Sequence, residues 1–176
     1  MRFGTFFLLG IILVGFSIEK PMTKVRLGER LFFEKKLSQN NEISCASCHR
    51  PDFAFADTVA FSRGVYGRLG RRNTPSAMNM ASRQTFFYDG RASTLEEQAG
   101  FPIEDHNEMS IFLQDAVTKI RKDPQYKTWF WKLYREEPNR INILNAIAEY
   151  ERTLESSSPF DEYMNGDTSA ITASAK

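Results

Sequence analysis

The sequence predicts an all-α protein with one compact domain. Three observations carry that expectation. Apolar residues recur at helical spacing through 25–37, 109–122 and 139–156. No stretch alternates apolar and polar residues with period two for long enough to make a strand. The 176 residues, 41% hydrophobic and 26% charged, also have the size and make-up of a single folded domain.

The elements follow in order. Arg2 precedes an apolar run over 3–16, and Ser17, Glu19 and Lys20 restore polarity. A positive start with a run of that length reads as a secretory signal over 1–17, cut after Ser17, and points to a periplasmic location. An uncleaved membrane anchor over 3–16 is the competing reading. The domain proper is expected over 24–164. Its first helix spans 25–37 and ends at Ser38-Gln39-Asn40-Asn41. A cysteine cluster follows, then a loop over 57–74 with Gly64, Gly67 and Gly70. Pro75 opens a short helix through Ala81, with Thr74 as its cap. A second short helix over 95–99 has Thr94 at its cap and Glu97 at the third helical position. Residues 109–122 form a clearer helix, with Ile111, Phe112, Ala116, Val117 and Ile120 on one face. Residues 126–134 make a short aromatic one. The last long helix, 139–156, carries Ile141, Leu144, Ile147, Ala148 and Leu154 as its apolar stripe. Pro159 starts one more turn, and the small, polar residues 165–176 read as a linker or frayed terminus.

Formal net charge is +1, so no dominant positive field argues for nucleic acid. Arg68, Arg71 and Arg72 lie in a glycine-rich stretch and read as a solvated turn, at most pairing with carboxylates or with the propionates of a cofactor.

Both cysteines and one of the two histidines fall within five residues, Cys45-Ala46-Ser47-Cys48-His49. CxxCH is the attachment signature of c-type haem. Two cysteines three apart on one helical turn can form thioethers to the two vinyl groups on one edge of the ring. The adjacent histidine then presents its imidazole to the iron. Cys45 and Cys48 are assigned to the thioethers and His49 to the proximal position. Structural zinc wants four ligands, and His106 is the sole further histidine. A thioredoxin-like redox pair needs a βαβ setting that the sequence lacks. A disulfide between Cys45 and Cys48 leaves His49 unexplained. Phe53 and Phe55 could pack on the ring or be ordinary core.

The surrounding residues say more. "LGERLFFEKKLSQNNEISCASCHRPDFAFAD", "RNTPSAMN", "FFYDGRASTLEEQAGFPI", "NEM" and "IAEYERTLESSSPFDEYMNGD" resemble the N-terminal domain of the bacterial di-haem cytochrome c peroxidase family, MauG-type enzymes included. The resemblance covers 27–176. It implies a cytochrome c-like domain whose first and last long helices cross. It implies hydrogen peroxide as substrate, reduced to water at one covalent haem c. Electrons come from a second haem domain or a donor cytochrome or cupredoxin, and a homodimer is among the assemblies allowed. Carried over by motif, Gln98 and Glu108 match the distal glutamine and glutamate. A carboxylate there can take a proton from peroxide and return it to the leaving oxygen. Gln98 can orient the substrate by hydrogen bonding. For Glu108 the plainer alternative is an acid favoured at a helix N-terminus. Asn73 matches a residue of the family's calcium site, although a simple turn residue also fits.

Some positions depart from the family pattern. Tyr88 stands where the family often has an electron-transfer tryptophan. The loop over 57–72 holds no histidine, so the resemblance implies a distal side that is open or water-bound. His106 replaces the usual proline and reads as a surface residue. The chain stops about where a second haem domain would begin. A mono-haem electron carrier, with Met78, Met80 or Met109 as sixth ligand, is the competing function, and an inactive haem domain is a third.

Overall fold

In the computed structural model, residues 20–175 are described. The stretch 1–17, read as signal or anchor, lies outside them. Among the described residues, no helix is long and apolar enough to cross a membrane. They form seven α-helices and no sheet, as the all-α expectation required. Three isolated bridges, Arg50–Ala56, Arg63–Leu69 and Phe86–Ala92, each close a short loop.

Helix α1 (Lys24–Phe32) starts on Thr23, whose hydroxyl accepts the Arg26 N–H at 3.2 Å. It stops short of the expected 37. The chain breaks at Phe33 and resumes as one 3-10 turn, Lys35–Leu37, because the Glu34 carboxylate captures the Lys36 N–H at 2.9 Å. Helix α2 (Cys45–Cys48) is a single turn. The helix expected at 75–81 does not form. The Thr74 hydroxyl is engaged with Ser62 at 2.7 Å, and Asn79 adopts a left-handed conformation. The Asn79 N–H donates to the Leu154 carbonyl at 2.7 Å, and only a 3-10 turn over Met80–Ser82 remains.

Helix α3 (Leu95–Glu104) has the expected Thr94 cap but runs five residues past 99, through Pro102. Pro102 forfeits one bond, to the Gln98 carbonyl, while fully buried Ile103 favours continuing the turn. Helix α4 (Leu113–Lys122) begins later than 109, because Ser110 takes a positive φ of 54°. Met109 nonetheless enters the core from the irregular segment before it. Phe112, expected on the buried face, is 76% exposed. Helix α5 (Pro124–Tyr134) is capped by Asp123. Helix α6 (Arg140–Glu151) opens with a reciprocal cap between Asn139 and Asn142 and ends before the expected 156. Ile141 is 70% exposed and off the stripe; Leu144, Ile147, Ala148 and, beyond the helix end, Leu154 are buried. Helix α7 (Pro159–Met164) is the extra turn expected after Pro159.

Helices α1 and α6 make the most extensive packing contact. Gly28 permits it: a Cβ at position 28 would lie 1.8 Å from the Ala146 carbonyl oxygen. Leu27, Leu31 and Phe32 share one core with Ile143, Leu144 and Ile147, which Val117, Ile120 and Phe130 close from α4 and α5. Phe32 carries this core to the cysteine cluster. Its ring lies 6.3 Å from that of His49, 6.0 Å from Phe55 and 5.3 Å from Tyr150.

Candidate active site

Helix α2 presents the two cysteines one turn apart. Ser44 precedes it, with its N–H held by the Ser47 hydroxyl at 3.0 Å. The His49 N–H closes the turn on the Cys45 carbonyl at 2.8 Å. Burial pushes the Cys45 thiol far above the usual thiol range. It also lifts Cys48 to about 11, against a hydrogen bond with Ser62 that works the other way. Both sulfurs are neutral thiols that form no disulfide.

The imidazole of His49 is oriented by the backbone. Its Nδ1 lies 3.0 Å from the Phe55 carbonyl oxygen. A carbonyl only accepts, so Nδ1 carries the proton and Nε2 keeps its lone pair. The same arrangement fixes metal-bound histidines in general. Burial holds the imidazole below its usual pKa, so the ring is neutral, as a ligand must be. The carbonyl is aimed by a tight reversal in which Ala54 and Phe55 both take positive φ, 53° and 56°. Such geometry costs about 1–2 kcal/mol per residue. Bonds from Phe55 N–H to Arg50 O at 2.9 Å and from Ala77 N–H to Phe55 O at 3.1 Å hold it. Phe55 packs against the core, whereas Phe53 is exposed beneath the Arg50 guanidinium. Two thiols one helical turn apart, beside a half-buried imidazole whose Nδ1 is held by a backbone carbonyl, are the donor set that covalent haem c requires.

Glu108 lies in the turn after α3, and its charge acts on both cysteines. Its backbone is clamped by the loop around Gly64. The Val65 N–H donates to the Glu108 carbonyl at 2.8 Å. A Cβ at Gly64 would lie 2.5 Å from that oxygen and 2.0 Å from the Asn107 carbonyl oxygen. Burial first, then the charge of Asp105, lifts the Glu108 carboxyl to about 7, while Arg91 opposes. It is therefore divided between acid and base near neutrality. Gln98 sits half-buried on α3, and no direct hydrogen bond joins it to Glu108.

The other expected residues lie further out. Tyr88 is 61% exposed, with the Arg72 guanidinium 5.8 Å from its ring centre. Arg91 stands 3.5 Å over the Phe87 ring and pairs with Asp89 at 2.9 Å. Asn73 donates its side-chain amide to the Val59 carbonyl at 3.1 Å. Calcium takes 6–8 oxygen ligands. No cluster of three acidic, histidine or cysteine side chains suited to a metal occurs among the described residues. Asn73 could therefore serve calcium only together with backbone carbonyls, amide oxygens or water. His106 is exposed and near Arg68, as expected of a surface residue. Met109 is 2% exposed within the main core, and Met80 packs on the separate Phe86–Leu95 cluster, which leaves Met78 as the one of these three candidates outside both.

Sequence reasoning missed the Phe55 carbonyl, which is a backbone group without a side-chain signal. It also missed Glu151, a buried acid. The signal for Glu151 was present: it follows Leu144 by seven residues and Ile147 by four, on the apolar stripe of α6.

The family model described as di-haem cytochrome c peroxidase matches residues 22–169. Cytochrome c peroxidase Ccp of Escherichia coli (strain K12) is 41% identical over 155 residues, 87% of this chain and 33% of that protein. Methylamine utilization protein MauG of Methylophilus methylotrophus is 35% identical over 163 residues, 90% of this chain and 49% of its own length. Among solved structures, a MauG-like protein associated with microbial copper homeostasis superimposes with a TM-score of 0.75 at 32% identity, covering 84% of this chain and 45% of that one. The diheme peroxidase BthA from Burkholderia thailandensis E264 gives 0.70 at 27%, covering 85% and 43%. The chain thus spans about a third to a half of the length of these relatives.

Proposed function

The chain belongs to the di-haem cytochrome c peroxidase family, and from that premise we propose that it is a haem c domain where hydrogen peroxide is reduced to water. One observation carries the reading. A half-buried carboxyl poised at about 7, Glu108, is held by a backbone clamp within electrostatic reach of the thiol pair beside His49.

Haem c, bound through Cys45, Cys48 and His49, would supply the one-electron chemistry. The protein supplies proton handling and orientation. Glu108 as carboxylate accepts a proton from one peroxide oxygen and returns it to the departing one. Gln98 orients the substrate by its amide. Overall, one peroxide, two electrons and two protons give two waters. The electrons come from a second haem, and Tyr88, exposed in this structure, passes them inward. Asn73 contributes its side-chain oxygen to a calcium site. The N-terminal apolar run directs export to the periplasm, where haem c is attached.

Expression with haem c maturation tests this. The expected product carries covalent haem, has a ferric spectrum without strong bis-histidine character, and reacts once with stoichiometric peroxide. Sustained turnover should appear only with an added reductant. A methionine-to-iron charge-transfer band with no response to peroxide would overturn the reading in favour of an electron carrier.

A further inference from the structure

The last residue of α6, Glu151, is 7% exposed, and its Oε2 has no hydrogen-bond partner. A charged residue type in such a place is rarely left without one. The proposed peroxide chemistry does not use it. Its surroundings bring together four elements. From α2, Cys45 feels its charge. From α3, Glu96 adds negative charge nearby. Just past the end of α6, Arg152 is the favourable neighbour, but its guanidinium is committed to Glu96 at 2.7 Å and Glu149 at 3.6 Å. Tyr150, beside Glu151, packs on Phe32 of α1 and is acted on by Glu29 of that helix. Glu108 reaches the same Cys45 from the segment after α3. The side chain is therefore a carboxyl without a counter-ion of its own, within electrostatic reach of Cys45.

We propose that Glu151 is a second proton-binding site of the domain, within electrostatic reach of Cys45, which would take up a proton when a bound haem gains an electron. The inference rests on the covalent-haem reading. The step balances simply. A one-electron reductant converts ferric haem to ferrous, solvent supplies a proton, and the Glu151 carboxylate becomes a carboxylic acid. Only an O–H bond forms. The physical cause is reciprocal coupling. An added electron makes the pocket more negative and favours the protonated acid, and a protonated acid in turn favours the electron. Burial supports the role, lifting the carboxyl to about 8, with Arg152 opposing and Glu96 reinforcing. Part of the population is thus ionised at neutral pH and available to accept a proton. This site differs from Glu108, whose proton moves to and from substrate.

The experiment is a spectroelectrochemical titration of the haem-loaded chain from about pH 6 to about pH 10. It compares the unaltered chain with E108Q, E151Q, E151D and the E108Q/E151Q pair. E108Q should keep an uptake that rises from at most about half a proton per electron around pH 8 toward one around pH 9, and the double variant should lose it. E151D should retain it with a displaced midpoint. A reduced-minus-oxidised infrared spectrum should show a protonated-carboxyl band, shifted in heavy water and absent from E151Q. If E151Q keeps both the proton uptake and the band while binding haem normally, this inference fails and the peroxidase reading stands. If the unaltered chain attaches no covalent haem, both fail.

Discussion

At the scale of the residue, Glu108 meets opposing neighbours, Asp105 and Arg91, where burial already disfavours its charge. Its value near 7 sets a sign. The form that takes a proton from peroxide is the carboxylate, so the rate of peroxide reaction should rise with pH through about 7 and level above it. Glu108→Gln should remove that rise and slow the reaction by about 10²–10⁴-fold, read by stopped-flow absorbance. An unchanged rate would remove the assignment. Legibility differed among such residues. The Cys45, Cys48 and His49 triplet is readable because its chemistry is local, within one helical turn. Glu108 is readable only through its motif, since an acid before an apolar run looks like an ordinary helix-start residue. The histidine tautomer is unreadable, because it depends on the Phe55 carbonyl six residues away.

At the scale of the element, two glycines fix how pieces meet. Gly28→Ala would drive a Cβ into the Ala146 carbonyl, which is backbone and has little room to move. The expected cost is roughly 3 kcal/mol or more, or a melting temperature lower by about 6–12 °C for a chain of this size. Gly64→Ala pushes instead on the Asn107–Glu108 backbone. It should leave haem attachment intact, as seen in the absorption spectrum. It should slow peroxide reaction by on the order of 10²-fold through misplacement of Glu108. Several helices were legible in kind but not in extent. Thr94, Asn139 and Pro159 mark starts that local chemistry decides. The expected helix at 75–81 fails because Thr74 and Asn79 are claimed by Ser62 and by Leu154, at distant points of the chain.

At the scale of the whole molecule, two raised carboxyls make stability depend on pH. Glu151 sits at about 8 and Glu108 at about 7, both above the ordinary 4.5. Between those limits the folded chain holds protons that the unfolded chain has released. Stability contributed by the protonated forms is therefore lost as pH rises from about 4.5 toward 8. Half-buried His49, held low, works in the opposite sense below its ordinary 6.5, losing stability as pH falls. Above about pH 8 Glu108 is largely ionised, and the remaining change among the two carboxyls is mainly that of Glu151. Glu151→Gln should stabilise the chain at pH 9 by roughly 1–3 kcal/mol, with the gain shrinking toward pH 6. Urea unfolding at the two pH values measures it, and an equal effect at both would argue against a titrating Glu151.

The sequence by itself determined the helical class, most helix starts, the haem-attachment triplet and the family motifs, because helical periodicity, caps and CxxCH act within a few residues. Only the tertiary structure decided where Phe112 and Ile141 point, which carbonyl orients His49, and how Gly64 clamps Glu108. It alone decided that Glu151 is buried with its Oε2 unpartnered. Those outcomes depend on contacts between segments far apart in the chain, and burial, which sets both carboxyls, exists only after the helices have packed.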